Sequence, residues 1–209
     1  MIENLYNRQE SLDLNIPKSV CVVGVGGVGS WVALDLTLAG VPRLFLIDPD
    51  RIEDTNLNRT PFTYSQIGKS KVKALTELIF ERRPLSSIFF FEKNVEQLSP
   101  LELESMTNVE VVVDCRDVSS RLPEILEGKT LITGGYDGLS ITMHVNPSGR
   151  SVWGEPVTYT IVPSFVAPPQ LIATLITMYL CMKPEQRLNS EKIATFDMSE
   201  FVREIFLNS

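Results

Sequence analysis

The sequence predicts an α/β protein: a doubly wound, mostly parallel sheet with antiparallel strands in the C-terminal third. Three observations predict it. Short apolar runs alternate with helical patterns through the first two-thirds of the chain, and parallel strands need such crossovers. A glycine turn joins the first apolar run to the first helix, as in Rossmann-like sheets. Past residue 138 the pattern changes to strict alternation, the mark of a strand with one wet face.

Each element follows from its residues. "SVCVVGVG" (19–26) is a continuous apolar run ending in glycines, hence a buried parallel strand. "GSWVALDLTLAG" (29–40) reads as a helix closed by Gly40 and followed by Pro42. "RLFLIDPD" (43–50) is a strand tipped with two acids. Residues 69–84 place Val72, Leu75, Leu78 and Ile79 on one helical face, and Pro84 ends the pattern. "SIFFFEKN" (87–94) and "VEVVVDC" (109–115) are strands, "VSSRLPEILEG" (118–128) a short helix, and "TLITGG" (130–135) a strand. "LSITMHVN" (139–146) sets Ile141, Met143 and Val145 against a solvated face of Thr142, His144 and Asn146, and "NPSG" (146–149) makes a turn. Residues 165–182 form an all-round apolar helix, to be covered by core or by a dimer partner, and 192–207 a strand pair or a strand and helix. No linker divides the chain, so 1–209 reads as one domain.

Composition excludes several functions. A net charge of −7 argues against nucleic-acid binding, which rests on surplus cations. The prolines and polar residues of 165–182 favour a buried helix over a membrane span, and the polar first twenty residues carry no signal pattern, so a cytoplasmic protein is expected. Three scattered cysteines, Cys21, Cys115 and Cys181, and one histidine supply no zinc ligand set, so no zinc is expected.

"GVGGVG" (24–29) lies directly between a strand and a helix, the context a nucleotide-binding turn requires. Gly24 permits the tight turn, Gly26 lets the backbone approach a phosphate, and Gly29 lets the helix pack close. Gly27 lies on the same turn. Asp48 follows Gly29 by 19 residues, where a carboxylate accepts from a ribose hydroxyl; Asp50 is a second candidate or a turn former. Beyond them Asn56, Arg59 and Lys71 gather past the end of strand two. So many donors beside a phosphate-binding turn point to a triphosphate, whose departing pyrophosphate they would neutralise. A magnesium ion on that triphosphate needs an oxygen ligand. "VVVDCRD" (111–117) offers Asp114 and Asp117, and Asp117, beyond the strand, is the better placed unless it caps the following helix.

"GVGGVGS", "LIDPDRIEDTNLNR", "IGKSK" and "VVDCRD" together resemble, in order and spacing, the ubiquitin-activating-like family that includes ThiF and MoeB, and "LYNRQ" (5–9) is similar to its N-terminal motif. The resemblance spans nearly the whole chain. It implies a homodimeric, ATP- and magnesium-dependent adenylyltransferase acting on the C-terminal carboxylate of a small ubiquitin-like protein or peptide. Asp48 would hold the ribose, Asn56, Arg59 and Lys71 the phosphates, and Asp117 the magnesium. The lead segment 1–18 would carry Arg8 to the γ-phosphate in the neighbouring subunit.

The chain departs from the family in three ways. The paired zinc cysteines are missing, Thr60 replaces a common glutamine, and no cysteine lies between Arg116 and Leu180, where "EPVTYTIVPS" (155–164) stands in place of a reactive thiol. The resemblance therefore implies release at the acyl-adenylate or transfer to a thiol elsewhere. His144 reads as a solvated or locally bonded side chain, and Trp31 as packing or a wall of the crevice. Three rivals remain: a non-catalytic partner subunit, a nicotinamide-dependent oxidoreductase that leaves Asn56, Arg59, Lys71 and Asp117 unused, and activation of an RNA-base carbamoyl group.

Overall fold

The first apolar run becomes β1 (Val20–Val23), buried at every position because it lies in the middle of a sheet covered on both faces. The structure is a computed structural model and describes residues 5–117, 121–146, 163–187 and 192–207. Its seven strands are β1, β2 (Arg43–Ile47), β3 (Ser87–Phe91), β4 (Val111–Asp114), β5 (Thr130–Asp137), β6 (Ser140–Val145) and β7 (Lys192–Asp197). They are ordered β3-β2-β1-β4-β5-β6-β7. β1 to β5 pair in parallel, and the β5–β6 and β6–β7 pairs are antiparallel. The doubly wound sheet and its antiparallel end agree with the sequence.

Period-two alternation sorts the core into two layers. Val20, Val22, Leu44 and Leu46 face α1 (Gly27–Ala39), α2 (Lys71–Arg82) and α5 (Ala167–Cys181). Cys21, Val23, Phe45 and Ile47 face α3 (Pro100–Ser105) and α4 (Glu124–Glu127). α1 is apolar on nearly every side because the sheet, α2 and α5 all touch it, and it ends where Gly40, at φ +109°, returns its N–H to Leu36 and Thr37. α2 buries Val72, Leu75 and Ile79 as its periodicity predicts, with Leu78 partly covered.

Four expectations are corrected or sharpened. The helix expected over 118–128 begins only at Glu124, because Pro123 at the N-cap disfavours helical backbone in Leu122; 118–120 lie outside the described residues. His144 is not solvated. It is 8% exposed, between Thr133 of β5 and Ile193 of β7, whose strands screen the middle of β6. Within one chain the helix over 165–182 buries Ile172, Ala173, Ile176 and Leu180 against α1, β5 and β6 and leaves Met178 at the surface, so the core covers one side of it. The last segment is a strand and a helix, β7 and α6 (Met198–Leu207), with no second strand among the described residues. The expected turn over 146–149 lies outside the described residues beyond Asn146, which adopts φ +44°. No helix among the described residues is long and apolar enough to cross a membrane.

One α1 side chain works against this packing. Burial raises the Asp35 carboxyl from 3.8 to about 6. Its folded-state value lies above the unfolded one, so stability falls as pH rises from about 4 to about 6 and the loss is complete above that. Because Asp35 is partly solvated, the penalty is on the order of 1 kcal/mol. Asp35→Asn should therefore raise the thermal midpoint at pH 8 and give no gain at pH 4, as scanning calorimetry at the two pH values would show.

Candidate active site

The register brings three chain exits to one level. Val23 pairs with Ile47 on one side and Asp114 on the other, so Gly24, Asp48 and Cys115 leave the sheet together. Strand order reverses here, and in open α/β sheets ligands bind in the resulting crevice. Gly24, at φ +85°, turns the chain sharply, and a Cβ on it would stand 3.0 Å from the Cys115 carbonyl. A Cβ on Gly29 would fall 1.8 Å from the Gly24 carbonyl oxygen, so no other residue lets α1 start against the exit of β1. Gly26 differs. It is the N-cap of α1 at φ −87°, and a Cβ there would meet nothing within 4 Å. The protein's own packing does not require this glycine, whereas a phosphate approaching the backbone would.

Asp48 is 5% exposed and braces the turn: Oδ2 accepts from the Val25 N–H at 2.5 Å and Oδ1 from the Asp50 N–H at 2.8 Å. Burial raises its carboxyl, against the pull of Lys71 and these two N–H groups. Further lone pairs remain for a hydroxyl, so bracing and ribose binding are compatible.

From Asp50 to Lys71 the chain makes an excursion whose two ends are zipped together. Ile52 donates to Lys69, Gly68 to Ile52 and Lys71 to Asp50, and Arg51 bridges to Ser70. This closure fixes Lys71 at the first position of α2, where its Nζ lies 2.8 Å from Asp50 Oδ2. The Asn56 side-chain oxygen caps its own turn from the Glu53 N–H at 3.1 Å, which leaves the amide nitrogen to donate. Thr60 Oγ1 donates to the Asn56 carbonyl at 2.9 Å, which gives the departure from glutamine a local structural use. The Arg59 guanidinium rests on its own loop, Nη1 donating to the Thr55 carbonyl and to Asn58 Oδ1.

Beyond β4 the two candidate acids separate. Asp114 is held by Arg116, with Nε to Oδ1 at 2.9 Å and Nη2 to Oδ2 at 2.8 Å. Asp117 keeps an open face to the crevice, yet surrounding protein atoms strip enough water to raise its carboxyl; Lys71 and Arg59 pull it down and Asp50 pushes it up. Asp117 thus shares the electrostatic neighbourhood of the two expected phosphate ligands. Whether it caps a following helix concerns residues 118–120, outside the described residues. No three histidine, cysteine, aspartate or glutamate side chains among the described residues form a ready metal cage. A single carboxylate beside substrate phosphates is nevertheless how magnesium is often held.

The structure brings together Gly24, Gly26, Gly27, Gly29, Asp48, Asp50, Asn56, Arg59, Lys71 and Asp117, but not Arg8. Gln9 donates to the Ala39 carbonyl at 2.7 Å and Tyr6 packs on Gly40, both at the far end of α1. Thirteen helical residues separate that end from the glycine turn, a span of about 20 Å. Tyr136 escapes sequence reasoning, and Trp31, expected as packing or a wall of the crevice, also makes a hydrogen bond there. Tyr136 stands over the turn: a Cβ on Gly27 would lie 3.1 Å from its hydroxyl and 3.5 Å from Arg59 Cδ. Its signal is its position, since β5 runs past the Gly-Gly pair to Asp137. Trp31 Nε1 donates to the Arg59 carbonyl at 2.9 Å and ties α1 to the donor loop. A half-buried indole N–H needs such a partner, which is the sequence signal for it. Burial raises the thiols of Cys21, Cys115 and Cys181, so none is poised as a nucleophile.

Residues 8–149 match the ThiF family. Ubiquitin-like modifier-activating enzyme 5 of Aedes aegypti is 37% identical over 110 residues, 48% of this chain and 28% of that protein. The enzyme of the same name from Rattus norvegicus is 29% identical over 165 residues, 71% of this chain and 40% of the relative. The chain thus spans less than half the length of these relatives. Among solved structures, E. coli MccB has a TM-score of 0.65 at 19% identity, covering 87% of this chain and 62% of MccB. MccB solved with ATP gives 0.59 at 20% identity over 87% of this chain and 64% of that one. PaaA gives 0.63 at 21% identity over the same shares. At this distance the structures speak for the fold. The family match takes in every residue from Arg8 through the glycine turn and Asp117 to Tyr136, and the chain belongs to the ThiF family.

Proposed function

We propose that this chain uses ATP to adenylate the C-terminal carboxylate of a small ubiquitin-like protein or peptide, releasing pyrophosphate. One observation carries the reading: Lys71 and Arg59 stand near enough to Asp117 to pull its carboxyl down, and Gly26, at the start of α1 on the same rim of the sheet, has open space where a Cβ would stand. The names of the relatives, activating enzymes for ubiquitin-like modifiers, and the MccB complex with ATP support it. A nicotinamide site would have no use for the buried Lys71 or for Asp117.

In this reading the acceptor carboxylate oxygen attacks the α-phosphorus, the bond from that phosphorus to the bridging oxygen of the β-phosphate breaks, and pyrophosphate leaves. Asp48 accepts from the ribose while bracing the turn. The N–H groups at the start of α1, unpaired within the helix, face the phosphates. Asn56 orients the outer phosphates, and Arg59 and Lys71 neutralise the charge gathering on the leaving group. Arg59 leaves the Thr55 carbonyl to do so, and Lys71 exchanges Asp50 for phosphate oxygen. Asp117 would hold magnesium, which when bound supplies positive charge across the phosphate oxygens. With the thiols of Cys21, Cys115 and Cys181 held protonated, the product is the acyl-adenylate, and the sulfur or amine that consumes it is none of these three. The chain works as a homodimer in the cytoplasm, with Arg8 donated to the partner's γ-phosphate.

Magnesium-ATP should raise the thermal midpoint where NAD and NADH do not, because only a ligand of the folded state stabilises it. Asp117→Ala should keep its unliganded midpoint but lose that rise and slow ATP–pyrophosphate exchange by about 10²-fold or more. An unshifted parent, or a shift with NAD alone, would sink the reading. Gly26→Ala should fold with an unliganded midpoint close to the parent's, since its methyl meets no protein atom, yet lose the magnesium-ATP rise by filling the phosphate approach. Arg8→Ala and Asp117→Ala chains, each inactive alone, should regain exchange activity when mixed, because a mixed dimer holds one complete site. Failure to recover on mixing would place the γ-phosphate cation elsewhere.

A further inference from the structure

We propose that Arg116 assigns the metal to Asp117 by occupying both oxygens of Asp114, an inference that rests on the adenylation reading. Asp114 ends β4 beside Val23, and Asp117 follows three residues on, beyond the strand. A carboxylate of either would suit magnesium, so something must decide between them.

The decision is built into the residue between them. Arg116 Nε and Nη2 fork onto Oδ1 and Oδ2 of Asp114 at 2.9 and 2.8 Å, and the Arg116 backbone N–H adds a third donor to Oδ1 at 3.2 Å. Nη1 reaches Glu96 Oε1, on the turn after β3, at 2.7 Å. The paired side chains are 11% and 14% exposed, so solvent competes little for either. A planar guanidinium matches a carboxylate in two bonds at once, and a lysine cannot. Asp114 therefore presents its charge to a cation already bound, while Asp117 faces Lys71 and Arg59. Uncovered, Asp114 would add a negative charge at the crevice that repels a triphosphate and draws the metal away from the donors.

The test follows the thermal midpoint of the full chain at fixed ATP while magnesium is titrated. Arg116→Gln and Arg116→Lys should need roughly 10–100-fold more magnesium than the parent to reach half of the ATP-induced rise. Asp114→Asn combined with Arg116→Gln should return the requirement close to that of the parent, because no uncovered carboxylate is left. Should Arg116→Gln not fold, Arg116→Lys carries the test, since it keeps the charge and most of the volume. An unchanged magnesium requirement in the folded single variants would overturn the proposal. So would a double variant that stays as impaired as the single, since Arg116 would then merely hold the loop. A parent that gives no rise with magnesium-ATP would overturn the nucleotide reading and the proposal together, and that arm alone reports it.

Discussion

The approach of Gly29 to the Gly24 carbonyl is the contact on which the rest of the site depends. A hypothetical side chain at residue 29 would overlap that oxygen, so α1 begins in direct contact with the exit of β1. Two consequences follow. The free N–H groups of the first helical turn are delivered to the one place in the sheet where strand order reverses. The helix axis is also fixed, and with it the position of Trp31, whose indole carries the donor loop by its Arg59 carbonyl. Asp48 secures the same turn from the other side through Val25. A steric constraint and one buried hydrogen bond thus place both halves of the crevice.

Two ion pairs flank that crevice, and they differ in kind. In the Lys71–Asp50 pair the lysine side chain is 11% exposed but the aspartate is 61% exposed. A buried ammonium needs a partner, yet a partner this exposed gains little from the pair and is readily exchanged for a phosphate oxygen. In the Arg116–Asp114 pair both members are mostly shielded from solvent and the bonds are doubled, so separating them would leave the Asp114 carboxylate poorly solvated. Under the proposed function the first pair serves as a placeholder and the second as part of the frame. Geometry alone would not separate them, since both have contacts of 2.8 Å; the difference lies in solvent access.

Much of this was legible in the sequence because the constraints are local. A short continuous apolar run ending in glycines reads as a central strand, Gly40 can end α1 in a left-handed residue, and glycines at fixed offsets encode the turn. What was not legible depends on packing between distant segments. His144 alternates like a solvent-facing residue, and its burial between β5 and β7 follows only from the assembled sheet. Tyr136 lies beyond a Gly-Gly pair that reads as a strand end, and its meeting with Gly27 requires knowing that β5 continues. Arg116 stands between two acids, and nothing in the spacing singles it out. Its side chain takes a partner two residues away and another on a turn twenty residues back, a pairing no spacing rule encodes.

The charges around the crevice also bear on whether one chain suffices. Asp48, Asp50 and Asp117 outnumber Arg59 and Lys71, so a triphosphate would enter a site with no surplus of positive charge. A triphosphate therefore needs added cations, one of them a metal. The chain's own Arg8 cannot be another at its own site: Gln9 and Tyr6 pin the lead segment to the far end of α1, and Asn15 binds the Cys181 carbonyl at the end of α5. Bringing Arg8 across would break these anchors and carry the segment the length of the helix. Held where it is, Arg8 is instead a cation presented at the surface. The electrostatic deficit of the crevice and the fixed distance of Arg8 thus lead to one conclusion: under the proposed function the site is completed by a second chain.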